Sequence, residues 1–490
     1  MTSERLLHPD LPFDMKARAA RAARDPRLMH AIQTATVRKD RGRIASCTAK
    51  FGGDTDAVRH HAGALRRHAL DHLDYYLPRF VAAARAAGAI VHFARDAAAA
   101  NAVCVEIARA TGARTCVKAK SMVTEEIELV AALAAVDVKT LETDLGEFIV
   151  QLDGDAPSHI VTPLIHKNRV DVARAFVREL GAPYTEDPQQ LTRIARAYLR
   201  EKYRRADLGV SGANFLIAET GTVVICTNEG NGDLCVSAPR IHIVLAGVEK
   251  VVAQLDHLGV FLKMLARSST GQDLTVYTTF LTGPRRADEH DGPEQMHIVL
   301  VDNGRTRVLE RESRELLSCI RCGACLNACP VFRKVGGGHA YGAVYSGPIG
   351  AVLTPLLKGL ENYPDLPQAS SLCGACYDAC PVAIDIPKHL IRHRQRAVER
   401  RIVSARTRAA FRLWSAVLVR PRLFRFALRA QSLLGRAIAT GPARGWVSAA
   451  PGFPPELLAV RDLPGPAPEG FRAWWHARRA APTTAPEGEP

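Results

Sequence analysis

The sequence predicts an α/β protein whose mainly parallel sheet is covered by helices on both faces, followed by a small cysteine-rich module and a basic helical end. Three observations carry that prediction. Short β-branched runs alternate with Ala-rich helical stretches between residues 88 and 303, the pattern of strand–helix–strand units. Seven of the twelve cysteines crowd between positions 319 and 380. After Glu399 no Asp or Glu occurs before Glu456, while Arg recurs throughout that stretch.

Size and composition set the frame. A chain of 490 residues corresponds to about three structural units, each able to bury a core. With 47% hydrophobic and 23% charged residues, it is not disordered throughout. The net charge of +15 favours acidic partners without naming them. No run of 18 uncharged apolar residues is present, which argues against a spanning helix, and the first residues lack an apolar signal core. The expected location is the cytoplasm, with peripheral contact to the inner face of the membrane as an extension. Reduced thiols there turn attention from disulfides to metal, catalysis or packing.

Residues 1–75 have apolar positions at helical spacing and few strand formers, so helices are expected. Residues 76–305 form the α/β part, with strands expected at GAIVHFA, RTCVKAK, VKTLETD, HIVTPLI, GTVVICTN, IHIVLAG, DLTVYTTF and MHIVLVDNG. Residues 306–400 form the cysteine-rich module. Residues 401–490 contain apolar positions at helical spacing on either side of Pro421, predicting two amphipathic helices, and end in a Pro- and Gly-rich tail.

Ligands of open parallel sheets bind beyond the carboxyl ends of the strands. Lys118, Lys120 and Ser121 leave one expected strand there, with Glu125 and Glu126 in the following helical turn, and Asp144 and Glu147 leave another. These positions suit a small anion. The competing reading is that Ser121 and Thr124 cap a helix whose acidic first turn complements its dipole. Neither GANFLIAETGT nor NEGNGD is a GxGxxG fingerprint, so no flavin or NAD site is read.

The cysteine module carries the clearest chemistry. Cys319, Cys322, Cys325, Cys329 and Pro330 form the CxxCxxCxxxCP run that holds a cubic iron–sulfur cluster in bacterial ferredoxins. The fourth cysteine of such a run ligates the other cluster, so a second copy is required, and Cys373, Cys376, Cys380 and Pro381 supply it. On that logic cluster 1 is held by Cys319, Cys322, Cys325 and Cys380, and cluster 2 by Cys329, Cys373 and Cys376. Ser370 stands where a fourth thiolate of cluster 2 is expected. A serine alkoxide, water or an outside residue could complete that site, and the cofactors are [4Fe-4S] at cluster 1 with [4Fe-4S] or [3Fe-4S] at cluster 2. Zinc favours separated CxxC pairs and fits the spacing poorly. Cys47, Cys104, Cys116, Cys226 and Cys235 show no ligand spacing and are expected to pack in the core. His339, His389 and His393 are read as surface or capping residues before any role in tuning a potential or carrying protons.

KAKSMVTEE, ETDLGEFIVQL, PSHIVTPLIHK, GANFLIAETGT, NEGN and GVEK, followed by the two cysteine motifs, closely resemble the lactate utilisation protein B family from roughly residue 10 to residue 400. The resemblance implies an α/β domain of the broad fold group of sugar-phosphate isomerases and CoA transferases (NagB/RpiA-like), joined to an α-helical ferredoxin-like module. It implies oxidation of L-lactate to pyruvate in a complex with two partner proteins, one of them cysteine-rich. The family pattern carries the same three-cysteine second motif. Val130 stands where asparagine is expected, and the tail beyond about residue 450 has no recognised counterpart.

Lactate oxidation releases a pair of electrons, whereas iron–sulfur clusters pass them singly, so the favoured reading is an electron-transfer subunit and not the catalytic one. The alternative makes the α/β domain itself the site acting on a small carboxylate or phosphate, with Lys118 and Lys120 as the anion clamp and Glu125 or Glu219 as base. Nucleic acid is not an expected partner, because the excess Arg sits in one late amphipathic segment without a recognition motif. That segment, residues 401–440, is expected to meet an acidic partner subunit or an anionic membrane surface.

Overall fold

A computed structural model describes residues 3–438, 446–447, 462–467 and 469–480. The chain divides after Ile402 into a large unit and a small one.

The large unit is built on a parallel sheet of six strands: β1 (Ile90–Ala94), β2 (Thr115–Lys118), β3 (Lys139–Glu142), β4 (Leu208–Gly212), β7 (Ile241–Gly247) and β10 (Gln295–Val301), in the order β1-β10-β7-β4-β2-β3. Strands buried on both faces read as unbroken apolar runs, and β7 shows why. Ile241, Ile243 and Leu245 pack on one face with the helix Ala97–Ala110, while Val244 and Ala246 pack on the other with the helix Leu73–Ala86.

A second, four-stranded sheet has the order β8-β5-β6-β9, from β5 (Phe215–Ile217), β6 (Thr222–Thr227), β8 (Val251–Val252) and β9 (Tyr277–Leu281). It lies between the main sheet and the cysteine module. Leu216, Val223 and Val251 join the α/β core, whereas Phe215, Ile217, Val224 and Val252 join the core that contains the cysteines. Strand alternation therefore welds the two parts together.

Two sequence expectations need correction. The run HIVTPLI is not a strand but a series of turns. His159 Nδ1 accepts the backbone N–H groups of Val161 and Thr162 at 3.0 and 3.3 Å, and Pro163 has no N–H to give a ladder. GTVVICTN and DLTVYTTF are strands of the small sheet, where β6 pairs antiparallel with β5 and β9, not members of the parallel one. The central strand β4, LGVSG, was not expected, because glycine weakens a strand pattern. At Gly209 a Cβ would stand 1.8 Å from the Cys235 carbonyl oxygen, so only glycine admits the helix Asn231–Ser237 to the sheet.

The N-terminal part is helical as expected, with helices Met15–Ala23, Pro26–Phe51, Thr55–Asp71 and Leu73–Ala86. The small unit contains the helices Ala405–Leu418 and Pro421–Ile438 on either side of the expected break, Pro421 opening the second. A further helix, Phe471–Ala480, lies between the two Pro- and Gly-rich segments PGPAPEG and APTTAPEGEP. The terminal APTTAPEGEP lies outside the described residues. Among the described residues no helix is long and apolar enough to cross a membrane.

Candidate metal centres and an adjoining cavity

The two cysteine motifs fold alike. Gly323 and Gly374, each after a cysteine, have φ of +74° and +86°, a left-handed turn that starts the short helices Ala324–Ala328 and Ala375–Asp378. Pro330 opens the helix Pro330–Lys334, and the Cys329 sulfur accepts the N–H of Phe332 at 3.5 Å. The Cys319 and Cys380 sulfurs likewise accept N–H groups, from Arg321 and Ile384, each at 3.4 Å.

The two loops come together. Cys322 and Cys325 both feel the charges of Cys319 and Cys380, while Cys329 feels Cys373, and Cys376 feels Cys329 and Cys373. Cys322, Cys325, Cys329, Cys376 and Cys380 are buried, and burial pushes all five thiols up, Cys380 to about 11 and Cys376 to about 12. Buried thiols gathered in this way become thiolates only with a metal to take their charge. Cys373 is exposed, and the Ala375 N–H and Ser371 hydroxyl pull its thiol down.

The spacing of the sulfurs distinguishes a cluster from a single ion. Zinc held at ~2.3 Å by thiolates brings sulfurs within roughly 4 Å of one another. Among the described residues, no three of these sulfurs come within 4.8 Å of one another. The donor set therefore fits an extended iron–sulfur core bridging the loops. Ser370, at the position of the missing thiolate, turns its hydroxyl to the Leu372 N–H at 3.1 Å, and its carbonyl accepts from Arg394 Nη2 at 3.2 Å.

The N-terminal helix Thr55–Asp71 supports both motifs, which the sequence did not disclose. Arg59 Nε donates to the Cys380 carbonyl at 2.8 Å, and its guanidinium lies 5.3 Å from the centre of the Tyr377 ring. Arg66, fully buried, donates to the Val251 carbonyl at 2.7 Å and reaches Leu317 and Ser318 beside Cys319. The only sequence signal was Arg on the inward face of an Ala-rich helix.

Histidines near the module are structural ties. His339 Nε2 bonds the Ala156 carbonyl at 2.7 Å, His389 meets Glu315 at 2.5 Å, and His393 meets the Val352 carbonyl at 2.9 Å. Asp155, His166 and His339 bring their donor atoms within 4.8 Å of one another, but Lys167 already lies 2.8 Å from the Asp155 carboxylate. Cys47, Cys104, Cys116 and Cys235 are buried, and Cys226 is half-buried.

A cavity of about 380 Å³ opens at the carboxyl ends of β2, β4, β6 and β7, and Cys322 is part of its wall. Lys120, Ser121 and Asp144 line it. Asp144 caps a helix through the N–H groups of Gly146 and Glu147, and Ser121 accepts the Thr124 N–H, so capping and lining coexist. Lys118 and Glu125 do not line it. Lys118 is fully buried, 2.8 Å from Glu142 and 3.8 Å from Glu147; burial opposes its charge, but these carboxylates outweigh it and raise its pKa. Glu125 is pushed up to about 8 by burial and by Glu147. Glu219 is exposed and caps the helix Leu255–Thr270 through the Leu255 N–H, so it is not a base facing the cavity. The cationic wall comes from residues the sequence reading passed over, Lys250 and Arg321.

Residues 77–301 match the LUD domain family, and residues 315–384 match the 4Fe-4S dicluster domain family. Lactate utilization protein B of Geobacillus kaustophilus is 44% identical over 432 residues, covering 87% of this chain and 89% of its own. Those of Shouchella clausii and Geobacillus thermodenitrificans are 43% and 45% identical, each over 87% of this chain and 89% of theirs. A solved duf162 family protein from Deinococcus radiodurans is 15% identical and covers 47% of this chain and 98% of its own with a TM-score of 0.27, too distant to bear on the fold. With its LUD and dicluster domains in that order and this identity along most of its length, the chain belongs to the lactate utilization protein B family, iron–sulfur proteins of lactate utilisation.

Proposed function

We propose that this chain is the electron-transfer subunit of an assembly that oxidises L-lactate to pyruvate, allowing lactate to serve as a carbon and energy source. The observation that carries the reading is the approach of the two motifs to each other, with Cys380 acting on Cys322 and Cys325, and Cys329 and Cys373 acting on Cys376. Cys319, Cys322, Cys325 and Cys380 are the proposed ligands of cluster 1, and Cys329, Cys373 and Cys376 those of cluster 2. Cubic iron–sulfur clusters supply one-electron chemistry over roughly −700 to +450 mV.

The residues around the two sets differ in a way that suits a relay. Arg59 and Arg66 bond the backbone around Cys380 and Cys319, the N–H groups of Arg321 and Ile384 bond the Cys319 and Cys380 sulfurs, and Cys322, Cys325 and Cys380 of the first set are buried. In the second set Cys373 is exposed, so the chain offers that end to a partner. The proposed partners are the other subunits of the lactate-utilisation assembly, one of them cysteine-rich. The basic helices of the small unit are proposed to dock on an acidic partner or an anionic membrane surface. The α/β domain is proposed to belong to the broad group of sugar-phosphate isomerases and CoA transferases that the family resemblance implies, and its parallel sheet with a cavity at the carboxyl edge supports this.

The test is turnover by the assembled complex with Cys322→Ala or Cys376→Ala. Both are expected to abolish lactate oxidation while the α/β domain stays folded by circular dichroism. Undiminished turnover in either variant ends the proposal.

A further inference from the structure

The cavity has an acidic end and a cationic end. Asp144 and Glu229 stand near Lys120, whose ammonium is already engaged by the Val161 carbonyl at 3.1 Å. Lys250 and Arg321 stand together beside Cys319, near Glu249 and Arg66. Glu249 is committed: Arg305 Nε donates to its Oε2 at 2.6 Å, and Arg321 lies 3.6 Å from its Oε1.

Four polar groups of the cavity wall are left over. Lys250 is only 7% exposed, yet among the described residues its ammonium has no hydrogen-bond or ion-pair partner. Arg321 is held by its guanidinium over the Tyr345 ring, 4.6 Å from the ring centre, and by Glu249, but its Nη1 has no hydrogen-bond partner. The Ser269 hydroxyl is buried and unpaired. Asn214 spends its Oδ1 on the Cys226 N–H at 2.9 Å, which leaves its amide hydrogens to the cavity.

We propose that this cavity binds a small carboxylate with an oxygen on the adjacent carbon, the carboxylate held by Lys250 and Arg321 and the neighbouring oxygen by Asn214 or Ser269, against the Cys322 loop. The proposal deepens the functional reading above and rests on it for the choice of 2-hydroxy and 2-oxo acids as probes. Lys250 and Arg321 attract the carboxylate, and the acidic end at Asp144 and Glu229 repels it toward the cysteines. A cavity of about 380 Å³ is within the usual range of small-molecule sites. The rival explanation is that Lys250 and Arg321 serve only to balance charge at Cys319.

The test uses the full-length protein, purified without oxygen and assayed for iron. L-lactate, pyruvate, acetate and inorganic phosphate are titrated into it calorimetrically. L-lactate or pyruvate is expected to bind, with acetate weaker by about tenfold because it lacks the second oxygen. Lys250→Met is expected to weaken binding by about ten- to a hundredfold at unchanged iron content, as loss of a charge-assisted hydrogen bond requires. Should Lys250→Met lose iron, Asn214→Asp decides, since it keeps the acceptor for the Cys226 N–H and puts a negative charge where the donor stood. Lack of binding by both acids, binding of phosphate in their place, or wild-type affinity in the deciding variant overturns the site. If the acids fail to bind while Cys322→Ala still abolishes lactate oxidation, the site falls and the relay stands. If they bind while the cysteine variants turn over normally, the relay falls and the site stands.

Discussion

Arg305 grips Glu126 through parallel hydrogen bonds, Nη1 to Oε1 and Nη2 to Oε2, each 2.9 Å long, with both side chains buried. Tyr345 of the cysteine module donates its hydroxyl to the same carboxylate at 2.6 Å, and Arg305 Nε reaches Glu249 at 2.6 Å. The network joins the α/β domain to the loop that carries Arg321 and Cys322.

Breaking it leaves a buried charge unpaired. Arg305→Met is expected to destabilise the protein by about 3–5 kcal/mol in urea or guanidinium titrations. Burial opposes the Glu126 charge, but Arg305, Tyr345 and Asn303 outweigh it and depress its pKa from 4.5 to about 2. This contribution is fully present above 4.5 and is lost as pH falls toward about 2, so the wild-type advantage over Glu126→Gln shrinks in acid.

Glu125 behaves in the opposite sense. The unfolded chain gives up its proton near 4.5 and the folded chain keeps it to about 8, so stability is lost as pH rises through that window. Glu125→Gln is expected to be more stable than wild type at pH 9 by about 1 kcal/mol or more and to show little gain at pH 4. Denaturation midpoints at the two pH values check this.

Ligand exchange predicts a crossed pattern of iron loss. Cys329→Ala, a change in the first motif, should remove the signal of the cluster that Cys373 and Cys376 share, and Cys380→Ala should remove that of Cys319, Cys322 and Cys325. Iron and sulfide analysis with electron paramagnetic resonance on anaerobic protein reads out which signal survives. Loss of the first-motif signal in Cys329→Ala refutes the exchange.

A Cβ at Gly63 would stand 2.5 Å from the Val382 carbonyl oxygen, two residues after Cys380. Gly63→Ala is expected to cost about 1–3 kcal/mol by overpacking, with iron content lowered. Equal iron and an unchanged melting temperature would show that the helix gives way freely.

Removing residues 403–490, the small unit, is expected to leave a folded, iron-containing protein that no longer cofractionates with its partner subunits or with anionic vesicles. Retention of both associations would remove the basic helices from any docking role.

The sequence by itself determined the parts that are written locally. β7 and β10 were legible because strands buried on both faces are mostly apolar, and the cysteine motifs because a cluster loop is set by short, repeated spacing. The basic helices were legible from period and from Pro421. HIVTPLI misled because β-branched residues form strands only when their N–H groups are free, and His159 and Pro163 removed them. Strand β4 was hidden for the converse reason: its glycine answers to a carbonyl on a distant helix.

What only the tertiary structure decided is the use of charge. Lys118 and Glu125, placed by the sequence at a strand exit where ligands bind, turn into a buried group with Glu142 and Glu147. Lys250 and Arg321, from segments about seventy residues apart, come together at the cavity instead. The cause is desolvation: a buried charge is tolerated only where partners from other elements meet it, and which elements meet is a property of the packed chain, not of any stretch of it.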